Sequence, residues 1–218
     1  MTNTNKQTRA LILVDIQKDF CPGGSLPVPR GDEVVAVANR LIPQFSANDL
    51  VVATQDWHPQ GHGSFASTHG RAIGEIVNLN GLPQMLWPDH CVQGTAGADF
   101  APGLDTQAIG AVIHKGEDLG IDSYSGLFDN GGRKATGMEV LLRERGVTDV
   151  YVMGLATDYC VKATAMDAVR LGFRTHLIID GCRGVNVRDG DVAKAIEAMA
   201  RAGVVILTSC HIEGRKAA

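Results

Sequence analysis

Cys160 lies in the stretch Gly154-Leu155-Ala156-Thr157-Asp158-Tyr159-Cys160, after an apolar run at 150–153 and before a segment, 161–173, whose apolar residues recur at helical spacing. That order puts the thiol in the first turn of a helix. Unpaired backbone N–H groups and the helix dipole there favour thiolate over thiol, and the same N–H groups can hold an oxyanion. A cysteine nucleophile also needs a group that takes its proton and later returns it to the leaving nitrogen. Asp15, at the end of the apolar run 10–16, can carry the proton both ways. Lys115 closes the run Ala-Val-Ile-His-Lys at 111–115 and supplies a cation for the anionic partners. Its neighbour His114 points to the other side of a strand and reads as a packed structural histidine. No histidine takes the role of base.

A second cluster has a different character. Asp56 and His58 follow a strand as Asp-x-His, and a third donor, His90, comes from the loop 86–91. Two imidazoles and a carboxylate suit one divalent metal ion, Zn²⁺, Fe²⁺ or Mn²⁺, with water completing the shell. His62, Ser64, His69 and Cys91 are nearby, His69 being the least favoured as a further ligand, and whether His62 or Ser64 joins the shell is left open.

These residues need elements to position them. Strands are expected at 10–16, 49–57, 111–115, 149–153, 174–180 and 204–208, each an apolar run of strand length. Helices are expected after Asp32, read as the cap for three to four turns carrying Val34, Val35, Val37, Ala38, Leu41 and Ile42 on one face, then at 137–145 with Met138, Val140, Leu141 and Leu142 as its apolar face, at 161–173 and at 189–202. The glycine- and proline-rich segment 21–31 reads as a loop over the site, and 59–105 as a long loop insertion with little periodicity. Six strands alternating with at least four helices predict an α/β three-layer sandwich, with a six-stranded, mostly parallel Rossmann-like sheet and helices on both faces. Right-handed crossovers bring every strand's carboxyl end to one edge, where ligands bind in such sheets. Asp15, Asp56 with His58, Lys115 and the turn to Cys160 then converge there. Any one of them alone reads as a surface charge or a cap; four from separate elements do not.

The 218 residues suit a single domain, 1–218. A formal charge of −4 without a basic cluster gives no footprint for nucleic acid. The first apolar run is short and interrupted by Asp15, unlike a signal peptide or membrane span, and five cysteines without paired spacing fit a reducing compartment, so a cytoplasmic protein is expected. The tail 214–218 looks frayed.

The segments Val14-Asp15-Ile16-Gln17-Lys18-Asp19-Phe20, Asp56-Trp57-His58-Pro59, Leu86-Trp87-Pro88-Asp89-His90-Cys91, His114-Lys115-Gly116, Asp122-Ser123-Tyr124-Ser125 and Gly154 to Val161 resemble, in order and spacing, the cysteine hydrolases of the isochorismatase-like fold, and within it the bacterial nicotinamidases. The resemblance covers residue 10 to about 190. It implies that Asp15, Lys115 and Cys160 form a catalytic triad, that Asp56, His58 and His90 bind the metal, and that the N–H groups of Ala156 and Cys160 form an oxyanion hole beside a cis Leu155–Ala156 peptide. It also implies that Phe20 and Trp87 sandwich a pyridine ring with Tyr124 close by. The activity implied is hydrolysis of nicotinamide, and of pyrazinamide, through a cysteine thioester in NAD salvage, with a small pyridine or pyrazine carboxamide as partner, no nucleic acid or membrane, and monomer or homo-oligomer left open. Rival readings are another member of the superfamily, such as an isochorismatase or a carbamoyl-sarcosine type amidohydrolase, and a thiol- or metal-responsive regulatory protein.

Overall fold

The computed structural model describes residues 8–45 and 47–213; the expectations for the first seven residues and for the tail 214–218 lie outside the described residues. Every residue from Ala10 to Val14 in β1 (Thr8–Val14) is buried, although successive side chains point to opposite faces. Only a strand covered on both sides allows that. After β1 come α1 (Glu33–Leu41), β2 (Leu50–Asp56), a short α2 (Ala66–His69), β3 (Ile76–Leu79) and β4 (Leu82–Met85). β5 (Ala111–Lys115), α3 (Met138–Glu144), β6 (Val147–Leu155), α4 (Lys162–Arg170), β7 (Arg174–Arg183), α5 (Asp191–Arg201), β8 (Val205–Leu207) and a short α6 (Cys210–Glu213) complete the chain.

Six strands form one parallel sheet in the order β5-β2-β1-β6-β7-β8. Counted along the chain this is 3-2-1-4-5-6, the doubly wound order, and its direction reverses between β1 and β6. Asp15 directly follows β1, and the turn to Cys160 directly follows β6, so the carboxylate and the thiol sit on either side of the reversal. Close approach of these strands requires Gly154: its φ is +123°, and a Cβ there would lie 2.1 Å from the Val14 carbonyl oxygen. The Leu155–Ala156 peptide is cis. No helix among the described residues is long and apolar enough to cross a membrane.

Four local expectations are corrected. Asp32 makes no side-chain cap: it is already helical (φ −64°, ψ −24°), and the helix is entered from a turn in which the Glu33 N–H bonds Arg30 O. α1 has nine residues, about two and a half turns, and continues as a 3₁₀ turn at 42–44. In α3, Met138 and Leu142 are buried but Val140 is 59% exposed, because the helix shows the sheet a narrower face than its apolar content suggests. The segment 59–105 is not structureless, since β3 and β4 make an antiparallel hairpin whose two-residue turn, Asn80-Gly81, has φ of +49° and +89°. Asn-Gly between apolar strands is a strong hairpin signal.

Candidate active site

Lys115, last residue of β5, is 2% exposed, and its ammonium is the hub of the pocket. It ion-pairs with Asp15 Oδ2 at 2.9 Å and with Asp56 Oδ1, donates to Ser123 O at 2.9 Å, and lies 3.3 Å from Cys160 Sγ. Burial opposes its charge, but the two carboxylates overrule burial and hold it well above the usual lysine value. Lys115 therefore stays cationic.

Asp15 is fully buried, with a left-handed backbone (φ +47°) that few non-glycine residues adopt. Thr54, from the neighbouring strand, fastens it at two points: the Asp15 N–H donates to Thr54 Oγ1 at 3.1 Å, and that hydroxyl donates to Asp15 Oδ1 at 2.5 Å. Among the described residues Oδ2 accepts no aligned hydrogen bond. Carboxylate oxygens of Asp15 and Asp56 and the Cys160 sulfur all lie within 4.8 Å of one another. Burial, partly offset by Lys115, raises the Asp15 carboxyl to about 6. A proton acceptor poised near neutrality is what general-base chemistry requires.

Cys160 does sit in the first turn after β6, but residues 157–161 are wound as a π-helical turn in which the Val161 N–H reaches Ala156 O at 3.1 Å. α4 then continues from Lys162. The expectation of a resting thiolate is overturned: burial pushes the thiol well above its usual value, and Lys115 offsets this only in part. The dipole argument is local, whereas desolvation depends on everything packed around the sulfur. At neutral pH the site holds an ionised Asp15, an ammonium and a protonated thiol.

Asp56 links this network to the imidazoles. Its Oδ1 takes Lys115, and its Oδ2 lies 3.8 Å from His58 Nε2 and 3.8 Å from His90 Nε2. Both rings are oriented from behind: His58 Nδ1 is 2.8 Å from Gly116 O and His90 Nδ1 is 2.7 Å from Pro88 O. A carbonyl only accepts, so each Nδ1 carries a proton and Nε2 is the ring atom turned toward Asp56. His58 Nε2 is buried with no hydrogen-bond partner among the described residues. Burial pushes the His58 imidazole down to about 4, keeping it neutral. For His90, burial is outweighed by Asp56 and the ring sits above its usual value. At Asp56, burial is overcome by Lys115 and then by the histidines, and its carboxyl is held far below the usual range. A permanent carboxylate and two imidazoles held by backbone carbonyls form a donor set that fits a divalent cation. Gly116 is required here: a Cβ on it would come within 2.4 Å of the His58 ring.

His62, left open by the sequence, packs against His58 with ring centroids 4.3 Å apart, and ligand atoms of His58, His62 and Asp122 lie within 4.8 Å of one another. Its Nδ1 accepts the Ser64 N–H at 3.2 Å and lies 2.7 Å from Ser64 Oγ, which puts the ring proton on the buried, unpartnered Nε2. Ser64 is thereby turned toward His62, and His69 bonds Gly63 O at 2.9 Å. His114 stacks on Trp57 with ring centroids 4.5 Å apart, as a packing residue should.

Above the sulfur is a small cavity walled by Phe20, Leu26, Trp87, Tyr124, Tyr159 and Val185. The three expected ring-contact residues are all present: Phe20 meets His90 edge-on at 5.5 Å, and Trp87 Nε1 donates to the Tyr124 hydroxyl at 3.1 Å. Tyr159, next to Cys160, is a wall residue that the sequence reading does not name; its ring stands edge-on to Trp87 at 5.0 Å. Thr54 and Gln17 were missed too. Thr54 shares a face of β2 with Asp56 by strand alternation, a signal readable in the sequence. Gln17 was not readable in that way: its amide accepts the Asp56 N–H at 2.9 Å and donates to Asp56 O at 2.9 Å, standing in for the strand that has turned away at Asp15.

Comparison with known proteins agrees with this architecture. A curated nicotinamidase of Escherichia coli is 53% identical over 201 residues, covering 92% of this chain and 94% of the relative. The structure of an Acinetobacter baumannii nicotinamidase/pyrazinamidase superposes with a TM-score of 0.90 at 42% identity, covering 94% of this chain and 98% of that one. A pyrazinamidase of Pyrococcus horikoshii, solved in complex with zinc, gives 0.74 at 38% identity, covering 92% and 98%. Residues 9–210 match the isochorismatase domain, and the chain belongs to that family.

Proposed function

We propose that the protein is a nicotinamidase, an amidohydrolase that converts nicotinamide to nicotinate and ammonia and accepts pyrazinamide as well. The observation that carries the reading is the meeting of a buried thiol, a carboxyl near neutrality and a buried ammonium at the floor of an aromatic cavity that also opens on Asp56 and His90. A flat aromatic carboxamide fits between such rings. The names of the relatives point to the same substrates.

In this reading Asp15 takes the Cys160 proton as Sγ attacks the amide carbon, and the backbone N–H groups of Ala156 and Cys160 hold the oxyanion that forms. Lys115 holds Asp15 ionised until that moment. When the tetrahedral adduct collapses, Asp15 gives the proton to the departing nitrogen and ammonia leaves, with a thioester remaining on Cys160. Water then adds to the thioester, Asp15 again moving its proton, and nicotinate is released with the thiol restored. Phe20, Trp87 and Tyr124 position the ring. Asp56, His58 and His90 would hold one divalent cation, zinc, iron or manganese, which when bound supplies an electrophile for a ring nitrogen. We read the chain as one hydrolase domain acting in the cytoplasm on a small carboxamide, with neither nucleic acid nor membrane as partner.

The test is ammonia release from nicotinamide with and without prior chelation. Turnover that is lost on chelation and restored by a divalent metal supports the reading. No turnover under any metal, with a ureido substrate cleaved instead, would replace it with another amidohydrolase of the family.

A further inference from the structure

Asp19 touches neither the cavity nor the imidazoles, yet it joins the segments that carry them. It sits in the 3₁₀ turn Lys18–Phe20, buried, directly before Phe20. Its Oδ2 accepts the Cys91 N–H at 2.7 Å, across 72 residues of chain, and its Oδ1 accepts the Ser25 N–H at 3.1 Å. Its backbone carbonyl takes the Leu26 N–H at 3.0 Å. Among the described residues no lysine, arginine or histidine lies within ion-pair distance of the carboxylate, so backbone N–H groups do that work. Two glycines are shaped around it: a Cβ on Gly97 would lie 2.1 Å from Asp19 Oδ2, and a Cβ on Gly24 would lie 2.4 Å from the Asp19 backbone.

What Asp19 grips matters. Cys91 follows His90 and has a left-handed backbone, φ +46°, unusual for a side chain with a Cβ. Its N–H is held by Asp19, and its carbonyl takes the His58 N–H at 3.1 Å. Cys91 is thus a bracket between the two histidine-bearing turns, and Asp19 fixes that bracket against the turn carrying Phe20. Phe20 in turn packs edge-on to the His90 ring at 5.5 Å.

From this geometry we infer that Asp19 is a positioning residue that sets His90 and Phe20 relative to one another, and so governs both cation affinity and the grip on the substrate ring. The inference rests on the reading that Asp56, His58 and His90 hold a divalent cation. Losing such an outer contact typically weakens metal binding about 10- to 100-fold.

The experiment is equilibrium dialysis of Zn²⁺ against the full chain, for wild type, Asp19→Ala, Asp19→Asn and Gly97→Ala, with circular dichroism reporting the fold. Asp19→Ala should raise the zinc dissociation constant about 10- to 100-fold, and Asp19→Asn, which keeps one acceptor oxygen, should fall between it and wild type. With zinc saturating, KM for nicotinamide should rise more than kcat falls, and the alkylation rate of Cys160 should stay within a factor of about 2, since the thiol network is not touched. Gly97→Ala should act in the same direction if Asp19→Ala does not fold. Any folded variant of the three that binds zinc with the wild-type constant and shows an unchanged KM overturns the inference. Wild type that takes up no zinc overturns the metal reading and the inference together.

Discussion

Asp15 and Asp56 are both buried carboxylates paired with the same ammonium, yet one carboxyl is raised to about 6 and the other is held far below its usual range. The neighbours make the difference. Around Asp15 are a hydroxyl, one shared cation and a protonated thiol, so burial dominates. Around Asp56 the same cation is joined by the His90 imidazole, itself held above its usual value, and together they overcome burial. On the proposed reading, the half of the pocket that moves a proton keeps a carboxyl raised to about 6, and the half that would hold a cation keeps one far below its usual range. Lys115 joins them, so the two halves share one electrostatic balance.

The sharpest way to break this comparison is to remove the shared charge. Lys115→Met leaves two buried carboxylates uncompensated and should destabilise the fold by about 3–5 kcal/mol as well as abolish turnover. Denaturant unfolding near neutral pH checks it, and a variant as stable as wild type would mean the carboxylates are not both ionised. Asp15→Asn strikes one half alone: kcat should fall about 10²–10⁴-fold with zinc binding intact, measured by ammonia release and dialysis. His90→Ala strikes the other. It should weaken zinc binding severely while Cys160 is alkylated at the wild-type rate, and unchanged metal content would separate His90 from the cluster.

Two smaller effects sharpen the contrast. In wild type, kcat/KM should fall as pH drops through about 6, because Asp15 gains a proton and can no longer accept the one on Cys160. Thr54 donates to Asp15 and favours its charged form, so Thr54→Val should move that limb to higher pH and lower kcat about tenfold at neutral pH. A limb that does not move would take Thr54 out of the proton network.

Much of this arrangement is legible in the chain. Asp15, Asp56 and Lys115 each end an apolar run of strand length, and parallel topology alone carries their side chains to one edge. The order of the runs and the turn before Cys160 bring the thiol to the same edge without any long-range contact being known. What was not legible depends on three-dimensional surroundings. The upward push on the thiol follows from burial by segments far apart in the chain, which no local window reports. Gln17 pairs with Asp56 only because β1 turns away at Asp15, and Asp19 meets Cys91 only through folding of the loop between. The β3–β4 hairpin is a different case. Its Asn80-Gly81 signal is present, but the surrounding glycine, proline and histidine content obscured it, along with the fact that this hairpin carries the chain back toward Trp87 and His90.

The claim on which the rest stands is that the sulfur of Cys160 bonds to the amide carbon while the imidazole half holds its cation independently. Ammonia release from nicotinamide by zinc-loaded Cys160→Ala tests it most directly. The account predicts a folded protein with wild-type zinc stoichiometry and turnover reduced at least about 10³-fold. Turnover within tenfold of wild type would show that water, rather than the thiol, attacks the amide.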